Sequence, residues 1–107
     1  MSVALLLLSM MNDHRSVLLI HDPELSIIAQ THANAMDRRG RLWHQSMRNI
    51  KGYRFVGENI ARADSPESVM KMWMRSPGHR ANIKSKRYTH AGIGHSGRYW
   101  CVCFGGG

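Results

Sequence analysis

Three side chains in this 107-residue sequence combine proton or metal chemistry with local punctuation. They are His44 in Leu42-Trp43-His44, Glu58 in Gly57-Glu58-Asn59-Ile60-Ala61, and His79 directly after Ser76-Pro77-Gly78. Two neutral imidazoles can hold zinc or another divalent cation, with water filling the open positions. A carboxylate beside them could orient or deprotonate that water, the logic of metal-assisted hydrolysis of a peptide or ester bond. Two protein ligands make a weaker site than the usual three. Ser76 could add a hydroxyl ligand, act as a nucleophile with His79 as its base, or cap a helix; its position favours the cap. Each residue also has a plain structural reading: a solvated loop histidine, a charge at a strand edge, and a histidine in a first helical turn. The helix dipole opposes positive charge in that turn, which favours neutral His79.

The elements that must position these groups are readable from pattern. Asp22-Pro23-Glu24 supplies an N-cap, a proline at the first helical position and an early acid. Leu25, Ile28, Ala29, His32, Ala33 and Met36 follow with helical spacing, and Gly40 ends the helix behind Arg38 and Arg39. Residues 41–53 are polar and irregular and read as a long loop that carries His44 beside Trp43. Residues 53–60 read as a short strand interrupted by Gly57. Ser65-Pro66-Glu67 starts another helix, with Val69, Met70, Trp73 and Met74 as its apolar stripe. Ser76-Pro77-Gly78 breaks it and opens a short helix bearing His79, Asn82 and Ile83.

The chain's end reads as a hairpin, Thr89 to His95 and Tyr99 to Phe104, turning at Ser96-Gly97. Trp100, Val102 and Phe104 fall on one face of the last strand; Tyr99, Cys101 and Cys103 fall on the other. Both faces are apolar, so the sheet should be covered by helices on both sides. A disulfide between Cys101 and Cys103, two apart on one strand face, would be strained, and both are expected as buried free thiols. The run Val3–Leu8 lacks the charged flank and small-residue cleavage site of a signal peptide. It reads instead as a first helix continuing through Met10 and Met11 to Asn12 and Arg15, and it is far short of a membrane span.

Length predicts a single domain over residues 1–107 that folds without a metal or disulfides. A net charge of +8, with a pI near 10.4, favours anionic partners. The basic residues cluster as Arg38, Arg39, Arg41, Arg48, Lys51 and Arg54, and again as Lys84, Lys86 and Arg87. No helix-turn-helix, zinc-finger or RNA-binding signature is present, so sequence-specific nucleic-acid binding is not expected. An anionic lipid or a cell-envelope polymer of the teichoic type fits the charge, and so does a plain solvated face.

Taken in order, the segments Asn12-Asp13-His14-Arg15, Gly57-Glu58-Asn59-Ile60-Ala61 and Trp73-Met74-Arg75-Ser76-Pro77-Gly78-His79-Arg80-Ala81-Asn82-Ile83 resemble the motifs of the CAP superfamily. This superfamily, also called SCP-like, contains the cysteine-rich secretory proteins, and the likeness is to its short bacterial form. Gly92-Ile93-Gly94 and Tyr99 through Phe104 fit its closing hairpin. The resemblance implies an α+β fold, a three-layer α-β-α sandwich with a central antiparallel sheet. It implies a cleft in which His44 and His79 are the metal-ligating pair and Glu58 the first acid, with Asn59, Trp73 and Ser76 supporting. Ser76 stands where many eukaryotic members carry a second glutamate, so that acidic set is incomplete here. The resemblance also implies work outside the cell or at its surface. Three functions are compatible: a binding module for a divalent metal, lipid or cell-wall component; a metal-dependent hydrolase; or a structural domain with a protein partner at a cell or virion surface.

Overall fold

The computed structural model describes residues 2–107. Four strands form one sheet in the order β1-β3-β4-β2, with helices on both faces. Helix α1 (Val3–Asn12) begins at Ser2, whose hydroxyl accepts from the Leu5 amide at 3.1 Å, and buries Leu7, Leu8 and Met11. It stops at Asn12 rather than continuing to Arg15, because both side chains are used elsewhere. Asn12 exchanges two hydrogen bonds with the Leu19 backbone, at 2.8 and 3.2 Å. The Arg15 guanidinium donates to the carbonyls of Ile83, Ser85 and Tyr88 and through Nε to that of Val17. Burial pulls its pKa below the usual value, so the carbonyl fork holds a partly desolvated cation.

The short strand β1 (Ile20–His21) pairs parallel with β3 (His90–Ser96). The sheet is therefore mixed, whereas an antiparallel one was expected. Two exposed residues carry no burial alternation to announce such a strand. Helix α2 (Pro23–Arg39) has the expected ends: Asp22 caps the Glu24 amide, and Gly40 takes φ +66°. Its buried stripe of Leu25, Ala29, His32, Ala33 and Met36 lies on one sheet face. Contact there is backbone to backbone. A Cβ on Gly92 would sit 2.1 Å from the Ser26 nitrogen, and one on Gly94 would sit 2.4 Å from the Ala29 carbonyl.

Strand β2 (Phe55–Arg62) pairs antiparallel with β4 (Tyr99–Gly106) along its whole length. Gly57 does not interrupt it. The glycine makes room for Tyr88, whose hydroxyl would lie 2.3 Å from an added Cβ and which donates to the Val56 carbonyl at 3.2 Å. Helix α3 (Pro66–Arg75) starts at Ser65, whose hydroxyl accepts from Ser68, and α4 (Pro77–Lys84) follows after Ser76. The β3–β4 turn is Gly97-Arg98, one residue later than expected, since Ser96 already pairs with Tyr99 and Gly97 takes φ +58°.

Strand β4 divides two cores, as its alternation predicts. Trp100, Val102 and Phe104 pack with α1 and α3 residues such as Leu7, Met11, Val69 and Trp73. Tyr99, Cys101 and Cys103 pack with α2 and with Ile50 from the loop 41–54. Both cysteines are buried free thiols.

Candidate functional site

The site forms at edge strand β2, where a long loop meets one sheet face and α4 meets the other. The loop is pinned at several points. His32 Nε2 hydrogen-bonds the Trp43 carbonyl at 2.5 Å, and the two rings meet edge-on at 5.0 Å. The guanidiniums of Arg39 and Arg41 lie 5.5 and 4.9 Å from the centre of the Trp43 ring. At the loop's end the Tyr53 hydroxyl donates to Asp22, and burial with that bond pushes the phenol pKa up to about 12. These ties hold His44 and Gln45 over Glu58.

Glu58 is the hub. Its side chain is only 3% exposed, whereas that of His44 is 61% exposed. Oε1 accepts from His44 Nδ1 at 2.8 Å and from the Gln45 amide at 3.2 Å. Oε2 accepts from Gln45 Nε2 at 2.8 Å and from the Cys101 thiol at 3.5 Å. Gln45 Nε2 also lies 3.7 Å from Cys103 Sγ and 3.9 Å from Cys101 Sγ. The Cys101 thiol is held protonated, its pKa raised by its own hydrogen bond to Cys103, by burial and by the Cys103 and Glu58 charges.

His79 is the third residue of α4 and is half-buried. Its pKa is pulled down, first by burial and then by the charge of His44. His79 therefore favours its neutral form. Asn59 and Trp73 fix the helix that carries it. Buried Asn59 donates to the His79 carbonyl at 3.1 Å and accepts from Asn82 at 2.9 Å. Trp73 donates to the Ile60 carbonyl at 3.0 Å, with its ring centre 6.3 Å from that of His79. Ser76 occupies the N-cap position, but its side chain makes no capping bond; the α4 start relies on Pro77 and on the bond from the Arg80 amide to the Ser76 carbonyl.

Sequence reasoning placed His44, Glu58 and His79 in one site; the structure bonds His44 to Glu58 and sets His79 apart on α4, and sequence reasoning missed Gln45, Cys101 and Cys103 beneath the carboxylate. The missing signal lay in strand pairing. Glu58 faces Cys103 and Ile60 faces Cys101 in the β2–β4 register, so the carboxylate and both thiols share a face. Among the described residues, Glu58, Cys101 and Cys103 form a cluster whose ligand atoms all lie within 4.8 Å of one another. Two surface cavities lie elsewhere. One of about 260 Å³ is lined by His14, Arg15, Ser16, Val17, Lys84 and Lys86, and one of about 360 Å³ by residues of α1 with Asp13 and Leu18.

Comparison with known proteins places this geometry. The profile of the family described as "CAP: Cysteine-rich secretory protein family" matches residues 9–103. A Bacillus subtilis (strain 168) protein, "Uncharacterized protein YkwD", is 47% identical over 55 residues, covering 49% of this chain and 21% of its own length. An extracellular protein containing a SCP domain from Bacillus anthracis superposes with a TM-score of 0.86 at 23% identity, over 98% of this chain and 40% of that one. An outer surface protein of Borrelia burgdorferi gives 0.84 at 16% identity, over 97% of this chain and 92% of that one. The chain thus spans well under half of the two Bacillus relatives. With the family profile running through both helical layers and the sheet between them, the chain belongs to the cysteine-rich secretory protein (CAP) family.

Proposed function

We propose that this chain is a surface-associated binding module whose basic face holds an anionic cell-envelope polymer and whose cleft takes a divalent cation such as zinc. The observation that carries the choice of binding over hydrolysis is the state of Glu58. A general base must reach a water. Glu58 is 3% exposed and its two oxygens already accept from His44, Gln45 and Cys101. It acts instead as a carboxylate behind a histidine: by accepting from Nδ1 it leaves His44 Nε2 as the lone pair turned to a cation. His79, held neutral by burial, offers the second imidazole. This donor set fits a divalent cation, and the cation would supply a positive anchor for a phosphate or carboxylate of the ligand.

Charge supports the rest of the reading. Arg38, Arg39, Arg41, Arg48, Lys51 and Arg54 are all exposed on and beside the loop that carries His44. Lys84 and Lys86 line the 260 Å³ cavity with His14 and Arg15. The surface location is drawn from the Bacillus anthracis and Borrelia burgdorferi proteins, described as extracellular and outer-surface.

The test is co-sedimentation with a purified polyglycerol-phosphate envelope polymer. Binding is expected at low salt, weakening as salt rises, and falling at least about 10-fold when Arg38, Arg39 and Arg41 are changed to Gln. Retention indifferent to both would sink the electrostatic reading. Zinc calorimetry on the wild type and on His79→Ala checks the cation: a binding event in the first that is missing from the second is expected, and identical isotherms, or no heat in the wild type, remove it.

A further inference from the structure

We infer that the buried face between β2 and β4 holds a second, thiolate-type metal site, formed by Glu58, Cys101 and Cys103. This inference is independent of the envelope-binding reading and of the His44–His79 pair. Its basis is geometric. The three ligand atoms lie within 4.8 Å of one another, and Glu58 Oε2 is 3.5 Å from Cys101 Sγ. A tetrahedral zinc ion, with oxygen at roughly 2.0 Å and sulfur at roughly 2.3 Å, sets neighbouring oxygen and sulfur ligands about 3.5 Å apart. The Glu58–Cys101 spacing is thus the edge of such a tetrahedron. The β2–β4 register makes the arrangement rigid, since Glu58 is paired directly with Cys103 and all three residues are buried.

The ligand chemistry selects the cation class. Two sulfurs and one carboxylate oxygen suit zinc or cadmium and are poor for calcium or magnesium, which take oxygen shells. His44 sits on the other oxygen of the same carboxylate and is its exposed neighbour, so it marks the route in, and water fills the fourth position. Gln45 Nε2, within 3.9 Å of both sulfurs, can donate to them once they carry charge. On binding, two metal–sulfur bonds form, two S–H bonds break, and both protons leave to solvent; no electron is transferred.

Cadmium titration of the reduced 107-residue chain, under anaerobic conditions, tests this. The readouts are the ultraviolet thiolate-to-cadmium charge-transfer band and proton release into a weak buffer. We expect the band to saturate at one cadmium per chain with about two protons released, and excess zinc to erase it. Affinity should fall at least about 100-fold in Cys103→Ser, since loss of a ligand exceeds loss of an outer-shell partner. Because a buried cysteine variant can fail to fold, the wild-type band is decisive by itself. Cadmium binding with no thiolate band, a band needing two chains per cation, or no binding overturns the inference.

Discussion

Glu58 is a carboxylate sealed under a loop, and its neighbours are what it stabilises. Removing it leaves the His44 ring, the Gln45 amide, the Gln45 side chain and the Cys101 thiol without their acceptor. A buried donor left unmade costs roughly 1–3 kcal/mol. Glu58→Ala is therefore expected to lower unfolding free energy by about 3 kcal/mol in denaturant titration; a loss under about 1 kcal/mol would mean that the loop is held by Trp43 and Tyr53 alone. His79 gives a pH signature. Its folded pKa lies below the ordinary 6.5, so as pH falls the unfolded chain takes up the proton first. The native state keeps its full stability above that pH and loses some below it. Denaturant midpoints should drop less steeply with acid in His79→Asn than in the wild type. At this scale the sequence offered the two histidines and the acid as candidates through their motifs, and the structure joins His44 to Glu58. The sequence did not carry Gln45 or the thiols, because their convergence depends on a strand register that linear order does not encode.

Each element boundary that was legible had a chemical marker at it: Asp22-Pro23 and Gly40 around α2, Ser65-Pro66 before α3, Pro77 before α4. The elements misjudged had none. Strand β1 is two exposed residues defined only by its partner, and Gly57 was read as a break when it accommodates Tyr88. The end of α1 was hidden because Arg15 leaves the helix to bind carbonyls more than sixty residues away. That fork joins the α1–β1 connection to the end of α4 and the start of β3. Arg15→Ala should cost about 3 kcal/mol by thermal or chemical unfolding, and Arg15→Lys should recover only part, since one ammonium cannot span those carbonyls. The α2–β3 contact is less forgiving still. Gly92→Ala must push α2 off the sheet, and we expect at least about 3 kcal/mol of destabilisation or failure to accumulate folded protein. A near-neutral Gly92→Ala would show that α2 can slide.

On the scale of the whole molecule, two apolar layers share a single partition. Helices α1 and α3 and helix α2 bury different faces of the same strands, so neither core can form without the sheet. No helix among the described residues is long and apolar enough to cross a membrane. The formal charge of +8 is distributed over the outside of these layers, where the clustered arginines and lysines are exposed.

The partition itself is β4, paired on both sides by β3 and β2 and buried from Tyr99 to Gly106. Its amide hydrogens have no route to solvent short of losing both ladders at once. In deuterium-exchange measurements these amides should be the slowest in the chain, exchanging only through complete opening, while β1 at the free edge exchanges through local fraying. The exchange rate of one strand would then report the stability of the entire fold, read in native buffer.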